Sequence, residues 1–346
     1  MTATVVRTAP GGSGAPRARA SRLVWFLIAG LAVLALAMLA SIAFGSLPTS
    51  IGDAVDVLRG TADANTTAVV ESRYPRTALG LLAGLALAVA GTLMQGVTRN
   101  PLADPGLLGI TAGASAGVVS ATAFLGVSGQ WGTVWWALPG ALLAGVLVHV
   151  IGSAGSGAGL VRLVLAGAVV TAVLSAYVQA VTLGMPKVFD SYRYWVVGAL
   201  GGRDFEVLLS VLPTAGLGLL LALLLAPALN TLALGDESAS ALGARPGVTR
   251  ALGLLAATLL SAAATAAVGP IAFVGLAVPH IVKAVTGADF RAQIVFSAVL
   301  GPALLLLADV AGRMLLRPQE LMVGIVTAFL GAPALLVAVR RMKGGS

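Results

Sequence analysis

The chain contains no cysteine, which excludes disulfides and thiolate metal sites. It has two histidines, His149 and His280, too few for an imidazole metal cluster within one chain. Charge is the larger absence. Only 10% of the 346 residues are Asp, Glu, Lys or Arg, against roughly 25% in soluble domains. A folded core cannot absorb that deficit, so lipid must be the solvent for most of the surface. No G-x-x-x-x-G-K-[ST] occurs, which excludes nucleotide hydrolysis by a P-loop. No pair of acids stands at catalytic spacing inside an apolar run, which opposes a membrane-embedded enzyme.

What remains is apolar. Hydrophobic residues make up 58% of the chain, and the mean hydropathy is +0.99. The apolar runs do not alternate as barrel strands do, so the spanning element is helix. A span needs about 20 apolar residues. Ten segments qualify: 23–44, 76–98, 106–127, 133–151, 161–184, 206–229, 248–268, 270–286, 292–312 and 321–341. The segment 270–286 is short and is interrupted by Pro279. The expected fold class is an all-α polytopic membrane protein with about ten transmembrane helices. Residues 1–22 are rich in Gly, Ala, Pro and Arg without periodicity, and read as a disordered cytoplasmic tail. Residues 23–346 read as one transmembrane domain. The run 23–44 is longer than the roughly 7–15 residues of a signal-peptide apolar region, so it reads as a retained span.

The formal charge of +8 reads as an orientation signal for a membrane and not as a nucleic-acid footprint. Ten spans put both termini on one side. Arg17, Arg19 and Arg22 at one end, with Arg340, Arg341 and Lys343 at the other, place that side in the cytoplasm. The outer loops nevertheless hold several arginines, which this rule leaves unexplained.

Several segments admit two readings. Ala-Leu-Gly-Leu-Leu-Ala at 78–83 recurs at 251–256, with Arg76 and Arg250 just upstream. The copies enter from opposite sides, as an inverted repeat requires, but six-residue matches also arise by composition in so Ala- and Leu-rich a chain. Asp309 lies within a span with Arg313 one turn on, which reads as a proton relay or as a neutralising pair. Asp236 and Glu237 open a short helix within residues 230–250, either an ordinary solvated helix or a docking helix. His280 follows the Pro279 break and reads as an interfacial residue or a proton-transfer group. The small residues of 106–117, among them Gly113, Ala114 and Ser115, and those of 152–159, permit close helix packing or movement along a pathway.

The sequences RYPRT, GTLMQGVTRNPLADPGLLGITAGASAG, LVLAG, YWVVGALGG, LGDESASALGA, VGPIAFVGLAVPHIVK, LLLLADVAGR and ELMVGIVTAFLGAP follow one another along the chain. In these motifs and their order, nearly all of residues 73–341 resembles the permease subunits of type II ABC importers for iron-siderophores, haem and cobalamin, a FecCD-like family. The resemblance implies a multi-pass subunit of the bacterial plasma membrane that pairs with a second permease, identical or paralogous. It implies two cytoplasmic ATPase subunits, which carry ATP and Mg, and an extracytoplasmic substrate-binding protein. It implies no cofactor, no catalysis and no nucleic-acid partner for this chain. By matching positions, Arg73, Arg76 and Arg313 would meet acidic residues of the binding protein. Arg313 could then serve Asp309 or the partner, but not fully both. Leu234, Gly235, Asp236, Glu237, Ala239, Leu242, Gly243 and Ala244, within a loop of about 230–247, would meet the ATPase. Gly159, Leu160 and Val161 would form the gate, with Gly113, Ala114 and Ser115 on the pathway wall. Two departures stand out: Met322 where the family often has Pro, and a loop near the gate unusually rich in Gly and Ser. The implied cargo is a ferric siderophore; haem, cobalamin and an ion-coupled secondary transporter are the alternatives.

Overall fold

A computed structural model describes residues 15–153 and 159–343, with side chains described for 21–153 and 161–333. Its helices are α1 (Ala15–Ala43), α2 (Ile51–Arg59), α3 (Ala64–Glu71), α4 (Arg73–Thr98), α5 (Ile110–Leu125), α6 (Gly129–Ser153), α7 (Gly159–Gly184), α8 (Pro186–Trp195), α9 (Phe205–Leu232), α10 (Asp236–Ala241), α11 (Pro246–Val268), α12 (Val274–Thr286), α13 (Phe290–Leu315) and α14 (Val323–Lys343). No strand occurs among the described residues. The ten expected spans correspond one to one with α1, α4–α7, α9 and α11–α14. Helix α1 starts at Ala15, so residues 15–22, expected as tail, carry helix instead. Residues 1–14 of that tail, and 154–158 of the glycine-rich loop, lie outside the described residues.

Seven helices are long and apolar enough to cross a membrane, while α5, α12 and the described part of α14 are shorter. The 13 residues of α12 reach only about 20 Å, short of a hydrocarbon core of about 30 Å. Each of α5 and α12 is preceded by an irregular entry segment. Before α5, Asn100 Oδ1 accepts the Leu102 N–H at 3.0 Å and Asp104 Oδ1 accepts the Gly106 N–H at 2.8 Å. A 3-10 turn at Pro105–Leu108 follows. The helix then starts from Gly109 at φ 70°, and α12 likewise starts from Phe273 at φ 69°.

The two halves share one plan. A long, enclosed helix (α4 or α11) is followed by a break, a short helix entered from left-handed backbone, and two further helices. The packing repeats as well: α11 lies against α6 as α4 lies against α13, and α4 and α11 pack on each other. With α4 and α11 running in opposite directions, this is the arrangement of an inverted repeat.

Close backbone approach holds the centre. A Cβ on Gly91 would collide with the Gly275 carbonyl of α12, and one on Gly84 would lie 2.5 Å from Pro302 Cα of α13. Small residues do this work because lipid tails are as apolar as leucine, and contact area must come from proximity. Hydroxyl pairs add to it: Thr92 with Ser297 and Ser41 with Thr77, each at 2.8 Å. One end of the bundle bears α2, α3, α8 and the loops 199–204 and 316–322. The opposite end bears α10 and the turns 99–104 and 287–289. Gly91→Leu is expected to remove the monodisperse folded protein on gel filtration in detergent, since overpacking costs about 1–3 kcal/mol or more. Gly216→Leu is expected to be neutral, because a Cβ there meets nothing within 4 Å.

Candidate functional site

Arginines cluster around one carboxylate at the end that carries α2, α3 and α8. Asp309 of α13 is fully buried. Arg76 of α4 donates to it through Nε at 3.0 Å and Nη2 at 2.8 Å, a bidentate pair. Arg313, one turn along α13, reaches the same carboxylate at 2.9 Å. It also donates to the Ser41 and Phe44 carbonyls of α1 and its exit at 3.0 and 2.9 Å. Arg76 Nη1 holds Glu320 at 2.8 Å, and Ser46 donates to the other Glu320 oxygen at 2.7 Å. Arg73 is buried and donates to the carbonyls of Ile42, Ala43 and Leu47 and to Thr49 Oγ1. Gly45 leaves room for its guanidinium, since a Cβ there would lie 2.6 Å from Arg73 Nη2.

This placement changes the expected roles. Arg73 and Arg313 are 5% and 1% exposed, so neither offers a free charge at the surface. They close the unpaired carbonyls at the end of α1, which apolar surroundings would otherwise leave unsatisfied. Of the three arginines expected to dock, Arg76 is the most exposed, and partly exposed Glu320 caps it. Asp309 is a shared counter-ion, since both oxygens already accept guanidinium N–H groups; this supports the neutralising pair over the proton relay. Glu320 was not singled out from sequence, since 244 residues separate it from Arg76 and no local pattern marks it.

Beside this cluster Arg203 is 7% exposed, its Nε has no hydrogen-bond partner, and it makes no ion pair among the described residues. Burial, with no acid at hand, pushes its pKa down to about 10, so it stays charged at neutral pH.

At the opposite end Asp236 opens α10. Arg99, the C-cap of α4, and Arg250 of α11 both bond its Oδ1, at 2.6 and 2.7 Å. The Arg250 hydrogen bond, with the charges of Arg250 and Arg99, holds the Asp236 carboxyl below its ordinary value. Arg99 Nη2 also takes the Leu232 carbonyl at the end of α9. Ala239 is buried, whereas Leu234 and Leu242 are 63% and 64% exposed. Glycines with positive φ, Gly235 at 111° and Gly243 at 81°, turn the chain at either side of the short helix. Glu237 lies in its first turn and makes no ion pair among the described residues, and Ala244 follows its C-terminal end. The segment thus presents two bare leucines from a base pinned by salt bridges.

The expected pathway wall is a packing seam. A Cβ on Gly113 would collide with Gly140 O and Ala144 Cβ of α6, and Gly117 faces the Trp136 carbonyl. Ala114 and Ser115 are buried within the chain. Burial within one chain persists on assembly, so these residues cannot line a path between two chains unless α5 moves off α6. At the expected gate, the side chains of Gly159 and Leu160 lie outside the described residues; α7 begins at Gly159, and Val161 is exposed. His280 is exposed, in keeping with an interfacial residue.

Two measurements check the rim. Arg313→Ala leaves buried Asp309 short of a counter-ion and the carbonyls at the α1 exit unpaired, and is expected to destabilise by about 3–5 kcal/mol, whereas Arg313→Lys keeps a charge beside Asp309 and is expected to recover part of that in thermal unfolding. For Glu320, burial acts to raise the pKa, but the Arg76 charge and the Ser46 hydroxyl outweigh it and hold the carboxyl below 4.5. A depressed folded value means stability that is present above the unfolded pKa and lost as pH falls through the folded one. The Tm gap between wild type and Glu320→Gln is expected to be open at neutral pH and to close as pH falls below 4.5.

The chain is similar along most of its length to proteins of known assignment. It is 45% identical over 317 residues to the ferric enterobactin transport system permease protein FepD of Escherichia coli K12, covering 91% of this chain and 94% of that one. It is 38% identical over 328 residues to the Fe(3+)-citrate import system permease protein YfmD of Bacillus subtilis 168, covering 94% and 97%. The hemin transport system permease protein HmuU of Yersinia pestis is 38% identical over 280 residues, covering 78% and 82%. A solved structure described as a metal-chelate type ABC transporter in an inward-facing conformation superposes with a TM-score of 0.80 at 26% identity, covering 92% of this chain and 99% of that one. The FecCD transport family matches residues 33–341, and the chain belongs to it.

Proposed function

We propose that this chain is the membrane-spanning permease subunit of an ATP-driven, binding-protein-dependent importer of ferric siderophores in a bacterial plasma membrane. The observation that carries the reading is the 45% identity to a ferric enterobactin permease over 91% of the chain. Two permeases would enclose the pathway, with α7 among its walls, where Val161, Leu165, Val169 and Val173 leave an apolar stripe uncovered by this chain. Both termini lie in the cytoplasm under this reading, and α10 faces a separate ATPase that carries ATP and Mg.

The α10 segment suits that contact. Leu234 and Leu242 offer apolar surface to a groove, and Asp236 ties the segment to α4 and α11. Those two helices form the enclosed centre of the fold, so displacement of α10 would be passed to the core of the chain. Such a push can bias a two-state arrangement by rigid-body shifts.

The rim end would receive the binding protein. Arg76 is the arginine placed to accept a docked carboxylate in exchange for Glu320, with Arg73 and Arg313 holding the rim beneath it. An ion-coupled carrier is disfavoured by Asp309, whose oxygens are already occupied.

Reconstitution with the cognate ATPase, second permease and binding protein tests the reading. Uptake of a ferric siderophore is expected to require ATP and no ion gradient; uptake that follows a gradient and ignores ATP overturns it. Asp236→Ala is expected to cut uptake several-fold while ATP hydrolysis persists. Loss of both in proportion would mean that Asp236 maintains assembly and does not couple the two.

A further inference from the structure

Asn230 stands in the last turn of α9, shortly before α10 begins at Asp236. Its side chain reaches the start of α13. Nδ2 donates to Asp289 Oδ1 at 2.9 Å, and Oδ1 accepts the Phe290 N–H at 2.7 Å. Both ends of one amide are thus committed to a single neighbouring helix. Local capping does not require this. Asp289 already caps α13 by taking the Arg291 N–H at 3.1 Å, and a helix start near solvent can leave its other N–H groups to water. Gln293 Nε2 donates to the Gly287 carbonyl at 2.7 Å, which holds the α12–α13 turn at the same level.

The segment that carries α10 is therefore tied to α4 and α11 through Asp236 and to α13 through Asn230. Helices α4 and α13 meet backbone to backbone at Gly84 and Pro302, and Thr92 and Ser297 share a hydroxyl bond between them. At the rim the same two helices are joined by Arg76 and Asp309. A displacement of α10 that drew on α4 alone would have to slide it along α13 against these contacts. Close-packed interiors resist such sliding and rearrange in discrete steps. With Asn230 bound to its start, α13 is drawn from the same end as α4, and the two can move as one body. The 26 residues of α13 span about 39 Å, enough to run from Asn230 to the rim.

We propose that Asn230 is a positioning residue for transport. It makes α13 follow α4 when α10 is displaced, so that movement at the α10 end reaches the rim with the Arg76–Asp309 pair unbroken. The inference rests on the permease reading, in which α10 meets the ATPase and the rim meets the binding protein. Asn230 acts through Asp289 and Phe290.

Uptake of a ferric siderophore and ATP hydrolysis are measured side by side in the importer reconstituted with its cognate ATPase, second permease and binding protein. Asn230→Ala is expected to lower uptake per ATP hydrolysed several-fold. Asn230→Asp, which sets two carboxylates against each other, is expected to do the same. The double variant Asn230→Asp with Asp289→Asn restores a donor and an acceptor between the two positions and keeps an acceptor for the Phe290 N–H. It is expected to recover most of the ratio. Thermal unfolding in detergent establishes which variants are folded; if Asn230→Ala is not, Asn230→Asp carries the comparison. Loss of folding in both assigns Asn230 to assembly and overturns the inference. So does an unchanged ratio, a proportional fall of uptake and hydrolysis, or a folded double variant that stays uncoupled. Wild-type protein without ATP-driven uptake would overturn the proposed function instead, so the two failures are distinct.

Discussion

Asp309 is the carboxylate around which the rim is built. It lies inside a helix that runs through an apolar environment, where an unpaired charge would be costly. Two arginines from different parts of the chain answer it, and each then has further donors to place. Arg313 uses its remaining N–H groups on carbonyls at the end of α1. Arg76 uses its remaining donor on Glu320. Arg73 completes the set by closing other carbonyls of the same α1 exit. The outcome is that α1, α4, α13 and the entry to α14 are fastened at one level by charge-assisted hydrogen bonds.

Helix α4 links this fastening to the opposite end. Arg76 stands near its start and Arg99 caps its finish, each in an ion pair with a distant acid. Between them the helix is nearly all apolar and small, and its glycines let α12 and α13 approach backbone to backbone. Close packing of this kind resists continuous deformation and favours discrete rearrangement.

Much of this was legible in the order of residues. The ten apolar helices, the breaks at Asn100-Pro101 and Gly269-Pro270, and the short helix opened by Asp236 follow from local composition and turn chemistry. The segment 270–286 is short in the structure because the break at Gly269-Pro270 and left-handed Phe273 delay its start to Val274; the interruption expected at Pro279 does not occur, and α12 runs on through it to Thr286. The sites were less legible. Arg73 and Arg313 carry docking roles by the family resemblance, but both also hold main-chain carbonyls of the α1 exit that no sequence pattern marks. Gly113 and Ser115 read equally well as a pathway wall or a packing seam, because both uses require small side chains.

The sequence by itself determined the solvent, the secondary structure and the approximate number of crossings, because each depends on the hydrophobicity of a contiguous stretch. It also displayed the duplication of Ala-Leu-Gly-Leu-Leu-Ala, without showing whether the match had a structural meaning. Only the tertiary structure decided which charges are spent and which are left over. Asp309 and Glu320 come to Arg76 from another part of the chain, and no acid among the described residues pairs with Arg203. Pairing depends on where side chains meet in space, and helices that cross a membrane bring together residues hundreds of positions apart.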